Sequence, residues 1–177
     1  MNNKFKYTLS KPIVLKAAHL NTPLGPMLVI ADEEKLCLLD FVDSKNLERK
    51  TQHLQQKAKT EIIFGKTSPT HSITNELEAY FSRELKSFKT PFSFYGSTFQ
   101  QQVWDKLVEI HYAQRISYLD LAKSVGNPTG FRAVAQANSA NQLAIIVPCH
   151  RVIHANGNLG GYAGGIERKR WLINHES

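Results

Sequence analysis

Pro148-Cys149-His150-Arg151 sets a candidate nucleophile beside a candidate base and a permanent cation. The thiolate is the reactive form of cysteine, and a neighbouring imidazole or guanidinium favours it by lowering the thiol pKa. These residues interrupt an apolar, β-branched run, Ile145-Ile146-Val147 before and Val152-Ile153 after, which reads as a buried strand. Pro148 fixes its own φ and has no N–H for a ladder, so it should end the strand and hold Cys149 out at a turn. An isolated cysteine is more often a small buried thiol. Here the proline before it and the His-Arg after it favour a nucleophile. To serve as base, His150 needs one fixed orientation, and in other Cys-His systems a carboxylate supplies it.

Residues 157–165 carry glycine at 157, 160, 161, 164 and 165, around Tyr162 and Ala163. Such a stretch is too Gly-rich for regular structure and reads as a loop over a pocket, where the backbone can approach a flat ligand closely. A lone Gly-rich loop could equally bind phosphate, but no Walker-type Lys-Ser/Thr pair follows it. Adjacent Cys149 and His150 lack zinc-ligand spacing and the other histidines are scattered, so neither a metal nor a cofactor is expected.

These residues need a frame. Residues 12–42 read as three short strands, 12–19, 27–31 and 36–42, separated by Asn21 to Pro26 and by Asp32 to Lys35. Cys37, inside the third, reads as a packed core thiol. Residues 43–59 suit a surface helix with one narrow stripe, Leu47 and Leu54, its charges forming a solvated face. Residues 61–64 suit a further strand and 65–69 a loop; Leu77, Tyr80, Phe81 and Leu85 then predict a helix from Thr74 to about Leu85. The tract 87–95, with Pro91 between aromatic residues, reads as an extended linker, dividing the chain into residues 1–91 and 92–177.

Beyond it, Thr98 and Gln101 have a capping-box pattern for a helix ending near His111. Ser117 and Asp120 cap a second, short helix with Leu121, Ala122 and Val125 inward and Gly126 as its stop. Asn127 and Pro128 suit the N-cap and first position of a third, with Ala133, Val134 and Ala137 on its inner side. Two short helices separated by Gly-Asn-Pro are a helix-turn-helix pattern, although a generic helical hairpin looks the same. Small residues would let the second helix approach a groove closely, and Arg132 lies on its first turn.

At 177 residues and 42 % hydrophobic content the chain can bury a proper core without staples. Lys and Arg outnumber Asp and Glu by 22 to 15, a net charge of +7 that suits a polyanion. Before Phe92 the cations are 12 Lys and 2 Arg, and after it 3 Lys and 5 Arg; the guanidinium is the better bidentate ligand, so the C-terminal part reads as the nucleic-acid reader. Two cysteines are too few for a disulfide framework, and a reactive thiol must stay reduced. With no signal-like run in residues 1–6 and no membrane-spanning apolar stretch, a soluble protein is expected, cytoplasmic, or nuclear in a eukaryote.

Pro148 to Val152, followed by Leu159 to Gly165 and then Arg170-Trp171-Leu172, resembles the methylated-DNA–protein-cysteine methyltransferase family, with a weaker echo in Thr22 to Met27. The resemblance implies an α+β protein: a small ribonuclease H-like N-terminal domain, then a mostly helical winged helix-turn-helix domain carrying the active site. It implies irreversible, single-turnover transfer of an alkyl group from O6-alkylguanine, and from O4-alkylthymine, in double-stranded DNA to Cys149 of a monomer. The catalytic relay implied is Glu176, His150, a water and Cys149, with Arg151 pairing an unidentified carboxylate. Tyr162, Ala163, Asn141 and Val152 would face the extruded base, Tyr162 near N3 and the Ala163 amide near O6. Tyr118, Arg132, Ala133 and Gln136 would contact DNA, Arg132 filling the space the base vacates and Tyr118 helping rotate a phosphate. Gln142 stands where the family commonly has Pro, and Asn138 where some relatives carry a larger apolar residue. Two other readings stay open: a lesion-binding protein without transfer, and a Cys-His hydrolase that turns over.

Overall fold

The computed structural model describes residues 14–177; the readings of residues 1–6 and of Pro12 and Ile13 fall outside them. Strands β1 (Leu15–Thr22), β2 (Gly25–Ala31) and β3 (Leu36–Phe41) form the expected meander. Gly25, at φ 111°, closes the tight β1–β2 hairpin in a conformation that disfavours a Cβ. Helix α1 (Leu47–Ala58) crosses from β3 to β4 (Ile62–Phe64), which runs parallel to β1 and gives the order β3-β2-β1-β4. β4 is a thin edge, with Phe64 85 % exposed.

Helix α2 (Ser68–Phe81) begins six residues before the predicted Thr74 and ends before Leu85. The reason is local: Thr67 and Thr70 exchange capping-box bonds and Pro69 sits in the first turn, so the supposed loop is the helix start. The tract after α2 is pinned and is no free spacer. Leu36 N–H donates to the Pro91 carbonyl and Ser93 N–H to the Leu36 carbonyl, both at 2.8 Å, so the chain lies along the open edge of β3.

Helix α3 (Thr98–Val108) is capped one residue earlier than expected, by Ser97 and Gln100, and stops short of His111. The short strand β5 (Ile116–Ser117) leads into α4 (Tyr118–Ser124), capped by Ser117 and Asp120 as predicted, and Gly126 follows at φ 72°. Helix α5 (Phe131–Ser139) does not start at Asn127-Pro128. Those residues form a turn closed by Gly130 N–H on the Asn127 carbonyl, and the Asn127 side chain lies against Gly130 so closely that any Cβ there would collide with it. Val134, Ala137 and Asn138 form the buried side of α5, while Ala133 is exposed.

The run before Cys149 is not a strand. Leu143 bridges Leu39, and residues 144–147 fold into successive tight turns, Ile146 N–H to the Ala144 carbonyl and Val147 N–H to the Leu143 carbonyl, with Ile145 at φ 73°. The apolar side chains are buried as the pattern requires, but their backbone groups are satisfied within the turn and by β3. A 3-10 turn, Cys149–Arg151, follows; then β6 (Val152–Ile153) pairs in parallel with β5, and α6 (Ile166–His175) ends the described chain.

Two clusters make the core. The smaller lies between the sheet and α1, around Leu15, Ile30, Leu38 and Leu54, and encloses Cys37. The larger is continuous across the linker, from Met27, Leu39 and Tyr80 through Trp104 and Leu121 to Cys149 and Leu172. No described helix is long and apolar enough to cross a membrane.

Candidate active site

The turn from Pro148 to Cys149 is as tight as the sequence implies. Pro148 adopts φ −82° and ψ 60°, and Cys149 N–H reaches back to the Val147 carbonyl at 2.8 Å, an inverse γ-turn. Cys149 is not held out, however; it is only 6 % exposed and forms part of the wall of a cavity of about 550 Å3. Asn141 organises this wall. Its Nδ2 donates to the Val147 carbonyl (2.8 Å) and to Cys149 Sγ (3.1 Å), and its Oδ1 accepts from Leu143 N–H (3.0 Å). An amide can donate and accept at once, so one side chain clamps the turn and touches the sulfur.

Burial raises the Cys149 pKa above its ordinary value, opposed by the Asn141 amide and by the charges of Lys50 and Lys169. The expected lowering of the thiol pKa by His150 and Arg151 is absent because both side chains turn toward Glu176. His150 Nε2 lies 2.9 Å from Glu176 Oε1, and Arg151 grips the same carboxylate with Nε and Nη2, each at 2.9 Å. Glu176, one residue from the chain end, is 4 % exposed and caps α6 at the end where the helix dipole opposes a carboxylate. Burial would raise its pKa, but the His150 and Arg151 contacts prevail and hold it well below the usual carboxylate range. Glu176 is therefore the carboxylate that Arg151 and His150 share.

Burial keeps His150 below the ordinary imidazole pKa, against the pull of Glu176. In a neutral ring facing an ionised carboxylate, Nε2 carries the proton and Nδ1 keeps its lone pair. Nδ1 is buried and has no hydrogen-bond partner among the described residues. Sequence reasoning missed Tyr80, whose hydroxyl donates to Glu176 Oε1 at 2.8 Å, and whose helical spacing suggested only packing. It also missed Lys169, whose buried Nζ donates to the carbonyls of Val152 (2.6 Å) and Gly161 (3.3 Å). Burial lowers the Lys169 pKa to about 8.

The cavity brings together Tyr118, Arg132, Asn141, Cys149, Tyr162 and Ala163. The Tyr162 hydroxyl is buried without a partner among the described residues, and burial, then the nearby Cys149, pushes its pKa well above the usual phenol value. Arg168 fixes the end of the Gly-rich loop to the sheet: it donates to the Gly164 carbonyl (2.7 Å), pairs with Asp43 (2.8 Å) and lies 4.2 Å over the Phe41 ring. Val152 does not face the cavity. It is fully buried because β6 pairs it with Ile116 inside the core. Ala133 and Gln136 line a separate cleft on the other side of α5. Residues 43–59 are not wholly a solvated face either, since Lys50 forms a buried ion pair with Asp40 (2.6 Å) on the active cavity wall.

A cavity with a buried cysteine in its wall lies beside the exposed side of α5, in a helical half that a DNA-binding family model matches, which places the chain among DNA-binding proteins. Family models agree along almost the whole described chain. Residues 15–94 match the 6-O-methylguanine DNA methyltransferase, ribonuclease-like domain, and residues 98–177 the 6-O-methylguanine DNA methyltransferase, DNA binding domain. The methylated-DNA–protein-cysteine methyltransferase of Methanosarcina acetivorans is 42 % identical over 159 residues, 90 % of this chain and 96 % of that protein. The constitutive enzyme of Bacillus subtilis is 40 % identical over 161 residues, 88 % and 91 % of the two chains. The crystal structure of Mycobacterium tuberculosis OGT in complex with DNA shares 34 % identity at a TM-score of 0.77, covering 93 % of this chain and 92 % of that one. The chain belongs to the methylated-DNA–protein-cysteine methyltransferase family, and its α+β architecture of ribonuclease-like half and helical DNA-binding half is that family's.

Proposed function

We propose that this protein repairs DNA by moving an alkyl group from O6 of guanine, and from O4 of thymine, in duplex DNA to Cys149, once per molecule. The observation that carries the reading is the placement of Cys149 Sγ on the wall of a base-sized cavity whose rim is the first turn of α5 with Arg132. A base inside a duplex is out of reach, so the nucleotide must be extruded at a cost of a few kcal/mol, which Arg132 offsets by filling the gap. Tyr118, at the cavity edge, guides the phosphate; Ala133 and Gln136 contact DNA from the exposed side of α5.

Glu176 orients His150, and Nδ1 takes the Cys149 proton through a water. The thiolate attacks the alkyl carbon: the S–C bond forms, the C–O6 bond breaks, and its electron pair passes into the guanine. Tyr162 donates a proton or hydrogen bond at N3 and the Ala163 amide one toward O6, stabilising the leaving base as oxyanion donors stabilise acyl transfer. Asn141 holds the sulfur in line. The product is a thioether, for which the site offers no route back. We keep residues 1–91 and 92–177 as the two domains, a monomer as the working state, and a reducing compartment such as the cytoplasm as the setting.

Intact-mass spectrometry after mixing the protein with a duplex containing one O6-methylguanine tests this. One methyl group gained per protein, mapped to Cys149, is expected. Duplex bound with no gain would make the chain a lesion reader, and neither binding nor gain would favour a hydrolase. The pH dependence follows from the raised thiol pKa. His150, with its pKa lowered, is already a free base at neutral pH, so the single-turnover rate should climb as pH rises from about 7 toward 9 and the thiolate fraction grows. The climb should flatten above about 8, where Lys169 loses the charge that favours the thiolate. A rate that falls over that range would contradict a thiolate nucleophile.

A further inference from the structure

Helix α1 belongs to the half of the chain matched by the ribonuclease-like domain, yet it stands beside the outward face of α5. Lys45 and Asn46, in the turn leading into α1, line the active cavity opposite Phe131 and Arg132. Arg49 and His53, one and two turns further on, line the second cleft opposite Ala133 and Gln136. Arg49 and His53, four positions apart, lie on one side of the helix at a rise of about 6 Å, and Lys45 extends that row from the turn before it. Lys45 and Arg49 are exposed, and neither is engaged in an ion pair among the described residues.

The charge along the two clefts is one-sided. Among the described residues the second has no carboxylate on its walls, and the sole carboxylate of the first, Asp40, is neutralised by Lys50 at 2.6 Å. A duplex laid on α5 with its backbone crossing either cleft therefore meets an unpaired cation, Lys45 from the turn before α1 or Arg49 from α1 itself. We infer that α1 is a second DNA-contacting element, Lys45 and Arg49 binding backbone phosphates beside the strand read by α5. This rests on the DNA-repair reading above and adds to it a contact from the other half of the chain. Lys50 takes no part, since its charge is spent on Asp40 inside the wall. The contact needs no particular base sequence: it adds affinity and fixes how far the duplex rolls toward the N-terminal half.

The test is salt-dependent binding of an unmodified duplex, followed by fluorescence anisotropy, for the full chain and for Lys45→Gln/Arg49→Gln. Deleting one cation that binds a phosphate should reduce the slope of log K against log salt by about 0.9, so the double variant should show a slope smaller by about 1.8 and bind roughly 10-fold or more weakly at about 0.1 M salt. Lys59→Gln/Lys66→Gln removes the same charge outside both clefts and should keep the wild-type slope. An unchanged unfolding temperature for each variant shows that the fold is intact. An unchanged slope in Lys45→Gln/Arg49→Gln would overturn the inference while wild-type binding upholds the functional reading. An equal loss in the control pair would overturn it too, reducing the effect to net charge. A wild-type chain that binds no duplex fails the functional reading itself.

Discussion

Cys149→Ser is expected to abolish alkyl transfer from an O6-methylguanine duplex to below detection, while duplex affinity stays within a few-fold of wild type. The substitution keeps a small polar atom where Asn141 Nδ2 donates, so the turn from Asn141 to Val147 should hold. What it removes is nucleophilicity. A serine hydroxyl ionises far above any working pH, and the environment that raises even the Cys149 thiol pKa by burial would disfavour an alkoxide further. Binding should survive because the side chain hydrogen-bonded to the sulfur is Asn141, and none of the residues assigned to the duplex bonds to it. Intact mass and anisotropy on one sample report both. The second cysteine gives the matching control: Cys37 is fully buried under α1 and its pKa is pushed up to about 11 by burial, so Cys37→Ser should transfer like wild type. Methyl gain persisting in Cys149→Ser would remove Cys149 from the centre of the mechanism.

Glu176→Ala should lose both stability and activity, and Glu176→Gln should separate the two. Alanine strands the Arg151 guanidinium and the Tyr80 hydroxyl in the core, leaving the guanidinium only its bond to the Ile110 carbonyl. Removing one partner of a buried ion pair costs about 3–5 kcal/mol, which for a chain of this size corresponds to a fall in unfolding temperature of roughly 10 °C. Glutamine keeps the volume and an acceptor, so calorimetry should show a smaller loss. Its activity should still drop, by roughly 100- to 10,000-fold in the single-turnover rate. The glutamine carbonyl oxygen belongs where His150, Tyr80 and Arg151 Nη2 all converge, so the ring keeps its orientation, but a neutral amide no longer stabilises the imidazolium that forms when Nδ1 takes the Cys149 proton. Full activity in a folded Glu176→Gln would mean that His150 needs no carboxylate.

The same cluster dictates acid sensitivity. Glu176 has a folded pKa below its unfolded value, so its stabilisation is present above the unfolded carboxylate range and is lost as pH falls toward the folded value. His150, buried neutral with a lowered pKa, acts in the same direction: its contribution is full above about 6.5, the unfolded imidazole value, and declines below it. Both therefore predict a protein that weakens steadily on acidification.

What the sequence determined by itself was whatever depends on neighbours a few residues away. The short apolar runs of β1 to β3 between turn residues, the Ser117–Asp120 cap, the turn at Pro148 and the motif from Cys149 to Val152 are all written in residues next to or a few positions from one another. Family resemblance extended that reading to Glu176 and Tyr162 by motif position. Even near at hand it could miss, as at Thr67, where a Thr-Thr capping box lacks the acidic signature that marks most such starts. Only the tertiary structure decided which charges are buried and with whom. Tyr80 meets Glu176 across 96 residues, Arg151 meets Ile110 across 41, and Lys50 leaves a polar helix face to neutralise Asp40. Nor could periodicity show that Ile145 to Val147 are turns, because burial of apolar side chains looks the same whether their backbone bonds lie in a ladder or in a loop pinned by Asn141 and β3. A buried charge is tolerated only where a partner and its hydrogen bonds converge on it, and that convergence is made by packing elements distant in the chain.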